Sequence, residues 1–347
     1  MVDLHEEALG AMEEVFGDRL KRRQPGRLAP DGALASVLPA SADEVALLAR
    51  ITDRYSLPLS ALGAETTPEK PAKEGRVLIR FDLMRSLWLS EGEGSLVEAE
   101  PGALWLELDN ELRVRGWGLT VYPTSAPRAT IGGWLAQDGV GVGSFEYGRL
   151  RENVVSAELV MPDGTRRTVG GHELHSVVGH ERGIVVRAIL QTRGAEDDTP
   201  YALAFGDREK LTDAVAGIFR RNVPLWHLAF LSPEMARLRG LGEDHLLFGA
   251  YPGGRGAAVG KALREVTSSA GGRVLSPTDA YRAWGERFFP IAPSRPTPVL
   301  SDRRFIQVGE IPAALKSYAN EAVQGTVARS GEVLMLAFDP GEASQVR

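Results

Sequence analysis

Cysteine is absent from all 347 residues of the chain. Its absence excludes disulfides, thiolate metal sites and a cysteine nucleophile, and says little about redox compartment. No apolar run approaches the ~20 residues that span a bilayer. The N-terminus carries Asp3, Glu6 and Glu7 instead of the basic-then-apolar order of a secretory signal, so a cytoplasmic location is expected. A basic excess is missing too: 40 Lys and Arg against 46 Asp and Glu leave a net charge of −6. A general nucleic-acid-binding surface, which needs cations to neutralise phosphates, is therefore not expected. What is present, 43% hydrophobic and 25% charged residues, is ordinary for a globular protein, and the length suits about two domains of roughly 150 residues each.

Periodicity places the elements. Leu4, Leu9, Met12, Val15, Phe16 and Leu20 share one helical stripe over residues 3–20, with Lys21, Arg22 and Arg23 near its C-terminal end. Ser41 followed three residues later by Glu44 is a capping-box pattern that opens a second helix. A short strand then ends near Gly63, and residues 64–75, polar and proline-bearing, predict an exposed loop. From Val77 onward short strands are divided by turn residues, with helical spacing from Leu104 to Arg115. Pro162-Asp163-Gly164 between two strand-like runs predicts a hairpin. Beyond the acidic stretch at 194–200, strands at "YALAF", "LWHLAFL", "HLLFGAY", "RVLS" and "EVLMLAF" are expected. Helices are expected at Arg208–Asn222, at Gly256–Ser269 and at Ile311–Ala322. This order predicts an antiparallel sheet covered by helices.

The segment from Tyr122 to Gly148 stands apart. Glycines occupy 132, 133, 139, 141, 143 and 148, beside Thr124, Ser125, Thr130 and Ser144. Glycine permits tight turns and close approach to the backbone, and amide N–H groups can serve phosphates without a cation. So dense a run suits neither a plain strand nor a plain helix; the bland reading is a series of glycine turns with no ligand.

The order of residue types is more specific than the glycine content. Pro123, Ser125, Thr130, Ile131, Gly132, Gly133, Gly143, Ser144, Tyr147 and Gly148, followed by the "MPDG" of residues 161–164, resemble the FAD-binding flavoproteins of the p-cresol methylhydroxylase/vanillyl-alcohol oxidase type. Gly183, Ile184 and Val185 match that family's later strand, whose backbone faces the adenosine end, and Gly63 with Thr66 or Thr67 stands at its first phosphate loop. The resemblance covers the first domain well and the second in outline, through Trp284, Arg287 and the Ile311-Pro312 helix start. It implies an α+β fold: a two-subdomain p-cresol methylhydroxylase-type FAD-binding domain over residues 1–193, then a short ferredoxin-like antiparallel α+β cap over 200–347. It also implies non-covalent FAD as cofactor, on the residues just named. The implied function is an oxidoreductase, or the flavin subunit of one, acting on the CH–OH group of a small 2-hydroxy acid such as glycolate or D-lactate. Arg287 is the candidate for the substrate carboxylate. In size the chain is similar to the FAD-binding subunit of glycolate oxidase, which implies a possible partner subunit for electron transfer.

Departures from the family pattern sustain an alternative: a non-catalytic scaffold or binding subunit with weakened or lost FAD binding. At the first phosphate loop the family carries arginine, three glycines and threonine, whereas this chain reads Ser60-Ala61-Leu62-Gly63-Ala64-Glu65, with Glu65 unwelcome near a pyrophosphate. Larger relatives continue beyond a segment like "TVARSGEVLML" with histidines that bind metal or accept a substrate proton, and a cap without those residues is expected here. Other motifs read as structure. His172, His175 and His180 lack a third ligand type at a fitting spacing and are expected to be solvated loop residues rather than a metal site. At 254–262, Arg255 and Ala262 break the P-loop pattern around Lys261. No Gly-x-Ser-x-Gly elbow surrounds Ser144. For Trp284 and Arg287, packing with a surface salt bridge competes with a carboxylate contact.

Overall fold

The second helix shows how local chemistry sets the elements. In the computed structural model, which describes residues 4–22, 33–64, 75–89, 96–195, 197–289 and 299–339, it runs Ala42–Arg54. The Ser41 hydroxyl accepts from the Glu44 amide at 3.2 Å, satisfying one of the helix's orphan donors. The reciprocal half of the capping box is not made. The Glu44 carboxylate accepts instead from the Ala40 amide at 2.7 Å and from Arg19 Nη2 at 2.8 Å. The Arg19 guanidinium thereby holds this carboxyl below its usual pKa.

The first helix is shorter than its periodicity predicts. It spans Leu4–Phe16 and stops where Gly17 turns left-handed at φ +49°. Leu9, Met12 and Phe16 are buried, whereas Leu4 and Val15 are exposed. Lys21 and Arg22 belong to a strand, Leu20–Arg22, so they do not serve the helix dipole, and Arg22 pairs with Glu6 and Glu13. Arg23 lies outside the described residues.

The chain forms two compact units. The first comprises Met1–Val114, Ala126–Gly139 and Arg151–Arg193. It holds two sheets. One has the order Leu20–Arg22, Ala33–Val37, Arg76–Arg80, Leu59–Leu62, with the last three strands parallel. Ala8, Met12, Phe16, Val45, Leu48, Val77 and Ile79 form its core. The other is antiparallel and contains the path Leu87–Leu89, Leu96–Ala99, Ile184–Gly194, Val154–Val160, Arg166–Val169. Its last pair is the hairpin expected at Pro162-Asp163-Gly164, and Gly164 supplies the left-handed residue at φ +78°. The loop reading at His172–His180 is corrected: Gly171–Gly179 is a helix. Gly171, Leu174 and Val177 recur three apart on its buried side and all three histidines are exposed.

The second unit comprises Arg115–Ser125, Val140–Leu150 and Gly194–Arg347. Two glycine-bearing segments that the sequence reading assigns to the first domain thus cluster with the second unit. Its sheet is antiparallel, as expected, but has seven strands: Arg273–Val274, Asp198–Phe205, His245–Pro252, His227–Leu231, Ala322–Val327, Glu332–Asp339 and Val299–Gln307, in that order. The expected helix Ile311–Ala322 ends at Ser317, and Ala322 begins a strand. That strand was obscured by Gly325, a poor strand former by composition. Here glycine is needed because a Cβ would stand 2.1 Å from the Phe230 ring. Helices Arg208–Arg220, Gly256–Ser269 and Ile311–Ser317 cover one face of the sheet. Pro233–Leu238 and Pro277–Gly285, neither of them expected, pack on the other. Among the described residues no helix is long and apolar enough to cross a membrane.

Ser41→Ala removes the cap of Ala42–Arg54 and is expected to cost about 1 kcal/mol. The midpoint of urea unfolding should fall with an unchanged denaturant slope.

Candidate functional site

In the first unit, Thr130 caps a single helical turn, Ile131–Leu135, its Oγ1 accepting from the Gly133 amide at 3.3 Å. The Ile131 amide donates to the Ala103 carbonyl at 2.8 Å and the Gly132 amide to the Pro101 carbonyl at 2.9 Å. These glycines serve close approach. A Cβ on Gly132 would stand 2.7 Å from the Pro101 Cβ, and one on Gly63 would stand 3.3 Å from both the Gly133 Cα and Thr130 Oγ1. Gly63 and the Thr130–Gly133 turn are therefore in contact, as two halves of one cradle would be. Beside them opens a cavity of about 420 Å³, walled by Gly63 and Thr130 among others and lined, among the described residues, by Arg80, Arg85, Arg128 and the carboxylate of Asp82. Glu65, Thr66 and Thr67 lie outside the described residues. Gly183 donates its amide to the Val177 carbonyl at 3.0 Å and has no room for a Cβ, which would meet Leu159 at 2.9 Å. Ile184 and Val185 are buried and pair with Val160 and Leu159.

In the second unit, Gly143 is left-handed at φ +88° and starts a second helical turn, Ser144–Tyr147. A Cβ there would lie 2.0 Å from the Thr120 carbonyl oxygen and 2.7 Å from Trp226 Nε1, which itself donates to that oxygen at 3.0 Å. Ser144 is fully buried: its Oγ accepts from the Gly141 amide at 3.0 Å and its own amide donates to the Gly141 carbonyl at 3.2 Å. The amides of Tyr147 and Gly148 donate to the Gly143 and Ser144 carbonyls, both at 3.0 Å, and Gly148 is left-handed at φ +77°. Pro123 and Ser125 flank Thr124, whose carbonyl accepts from the Phe289 amide at 2.7 Å. That bond ties the proline-serine segment to the end of the helix that presents Arg287.

Arg287 sits in an aromatic frame. Its guanidinium lies 4.2 Å from the Trp284 ring centroid and 4.1 Å from that of Phe288. Nη1 donates to the Trp284 carbonyl at 2.8 Å and Nε to the Tyr122 hydroxyl at 3.3 Å, while Gln324 donates to the Arg287 carbonyl. No carboxylate pairs with Arg287 among the described residues, so the salt-bridge reading of this side chain is not what the structure presents. Cation–π contact fixes the group, and its charge meets no carboxylate among the described residues.

Sequence reasoning missed His227. It is fully buried on the sheet, its ring 5.7 Å from Trp284 and 6.4 Å from Phe248, and neither ring nitrogen has a hydrogen-bond partner among the described residues. Burial, then the charge of Arg287, pushes its pKa from the ordinary 6.5 down to about 3. Nothing in the flanking sequence, a plain apolar strand, marks it. The exposed His172, His175 and His180 join no group of potential metal ligands among the described residues.

Residues 33–170 match the family model described as FAD binding domain. The chain is 30% identical to the probable mitochondrial D-lactate dehydrogenase of Danio rerio, over 57% of this chain and 43% of that protein. It is 25% identical to glycolate oxidase subunit GlcD of Bacillus subtilis, over 47% of this chain and 37% of that one. The matches thus span less than half the length of these relatives. In structure it is similar to substrate-bound p-cresol methylhydroxylase, with a TM-score of 0.78 at 13% identity, covering 98% of this chain and 83% of that one. At that identity the likeness shows the fold.

Gly143→Ala forces a β-carbon against the Thr120 carbonyl and should destabilise the protein by roughly 2–4 kcal/mol in denaturant melts. His227 gives a pH signature. A neutral imidazole with a depressed pKa contributes stability above pH 6.5 that is lost as pH falls toward 3. His227→Phe, which also relieves two unpartnered nitrogens, is expected to match or exceed the parent at neutral pH. It should also lose less stability by about pH 4.5, measured by urea unfolding at both pH values.

Proposed function

We propose that the chain, whose residues 33–170 match the family model described as FAD binding domain, binds FAD non-covalently and acts as an oxidoreductase, or as the flavin subunit of one, on a small 2-hydroxy acid of the glycolate or D-lactate kind. The residues present suit the cofactor. Gly63 and Gly133 leave out the Cβ atoms that would crowd the cradle, and among the described residues three guanidiniums and one carboxylate line the adjoining cavity. The chemistry that bound FAD supplies is acceptance of a hydride from the carbon bearing the hydroxyl.

The single observation that carries the substrate class is Arg287. A guanidinium clamped between two aromatic rings, without a carboxylate partner among the described residues and donating to Tyr122, suits a small carboxylate: charge-assisted hydrogen bonds from a fixed fork orient the ligand as well as hold it. Trp284 and Phe288 keep water from part of that fork. The names of the Danio rerio and Bacillus subtilis relatives, a D-lactate dehydrogenase and a glycolate oxidase subunit, point to the same class. A separate electron-transfer partner belongs to this reading.

One observation favours the scaffold alternative. The amides of Gly132, Gly133 and Ser144, expected to face phosphate, all donate within the chain, as does that of Ile131. The two readings separate on the visible spectrum of the purified protein. Flavin absorbance that is released into the supernatant on acid precipitation and bleached by glycolate or D-lactate is expected; a colourless protein that takes up no added FAD sinks the enzyme reading. Arg287→Ala should keep its flavin yet raise KM at least tenfold, and Arg287→Lys should recover only part of that loss.

A further inference from the structure

We propose that Arg128, with Arg80 and Arg85 around the same cavity, is the diphosphate-binding group of this chain, in place of the amides of Ile131, Gly132 and Gly133. The assignment rests on the flavin reading and deepens it. Three observations carry it, all within the first unit. First, the turn amides already have partners: Ile131 donates to Ala103, Gly132 to Pro101, and Gly133 to Thr130 Oγ1. Breaking those bonds to free donors for a phosphate would cost about what each gained, so charge must come from elsewhere. Second, the wall formed by Gly63 and Thr130 opens onto a cavity of about 420 Å³, which falls in the range of ligand pockets and exceeds the needs of a single water-sized ion.

Third, the three arginines of that lining are not equivalent. Arg80 is held by Asp82 through two parallel bonds, Nε at 3.0 Å and Nη2 at 3.1 Å, so its charge is already met. Arg85 reaches Glu107 at 3.1 Å, with both side chains about half exposed. Arg128 is exposed, stands two residues before Thr130, and makes no hydrogen bond or ion pair among the described residues. Its guanidinium is the uncommitted cation of the cavity. A planar fork suits two neighbouring phosphate oxygens, whereas an ammonium would offer a point charge. With Arg80 met by Asp82 and Arg85 by Glu107, the charge of Arg128 is left over at the cavity, which favours an anionic diphosphate over a neutral ligand.

Calorimetry on the flavin-stripped full chain tests the assignment, titrating FAD, ADP and riboflavin into wild type, Arg128→Ala and Arg128→Lys. Arg128→Ala is expected to weaken FAD and ADP by ~10–100-fold, to leave riboflavin unchanged, and to keep the wild-type melting temperature. Arg128→Lys should recover part of the loss. Unchanged ADP and FAD affinity in Arg128→Ala overturns the proposal while leaving the flavin reading intact, as does an equal loss for riboflavin. Wild type that binds ADP through Arg128 but takes up no FAD supports the diphosphate site and sinks the flavin reading. Wild type that binds neither FAD nor ADP overturns both.

Discussion

The backbone at Gly143 passes so close to the Thr120 carbonyl that a single added carbon would stand 2.0 Å from its oxygen. Around this approach the candidate residues of the second unit are arranged. The Thr120 oxygen also accepts from Trp226, Trp226 packs against Tyr122 and Trp284, and Trp284 carries the guanidinium of Arg287. The left-handed glycine is therefore the steric condition for the aromatic frame, and the frame is the condition for a cation held without a counter-ion among the described residues. In a chain where Arg19, Arg149, Arg151 and Arg255 each find a carboxylate, an arginine fixed by rings instead keeps its charge for something else.

The same relation recurs in the first unit. Gly63, Gly132 and Gly133 let backbone meet backbone, and the cations gather at the edge of that contact. Each unit thus separates shape from charge: glycine removes bulk where chains must touch, and arginine supplies the field. Neither could do the other's part, since a Cβ would clash and an amide already bonded to a carbonyl has no donor left.

Much of the fold was legible because its elements obey local rules. The Ser41 cap, the Pro162-Asp163-Gly164 turn and the helix Gly256–Ser269 are written in residues that interact within a few positions of one another. The misses share a cause as well. Gly325 looks like a strand breaker until Phe230, nearly a hundred residues away in sequence, is seen to need its space. Helix Gly171–Gly179 hides its three buried residues among histidines and glycines, which read as loop. His227 was invisible for the opposite reason: it sits in a strand so apolar that one imidazole changes nothing in the pattern, and its lack of partners is a property of the packed sheet. Of the candidate site, the motif from Pro123 to Gly148 could be read in order, but not its division between two compact units.

That division and the spent amides alter what the glycine motif means. A run of glycines beside threonine and serine suggests donors bared for phosphate. Here the donors of Ile131, Gly132 and Ser144 close turns and anchor those turns to Ala103, Pro101 and Gly141. The hydroxyls behave likewise, Thr130 capping its own turn and Ser144 bonding inside its own. Conformational cost argues the same way: turns in which the amides of Ile131, Gly132, Gly133 and Ser144 are satisfied keep their shape before a ligand arrives, so binding does not have to order them. Preorganisation by internal hydrogen bonds and recognition by guanidinium are then complementary parts of one solution, in which the glycines shape the cradle and the arginines beside it carry the charge.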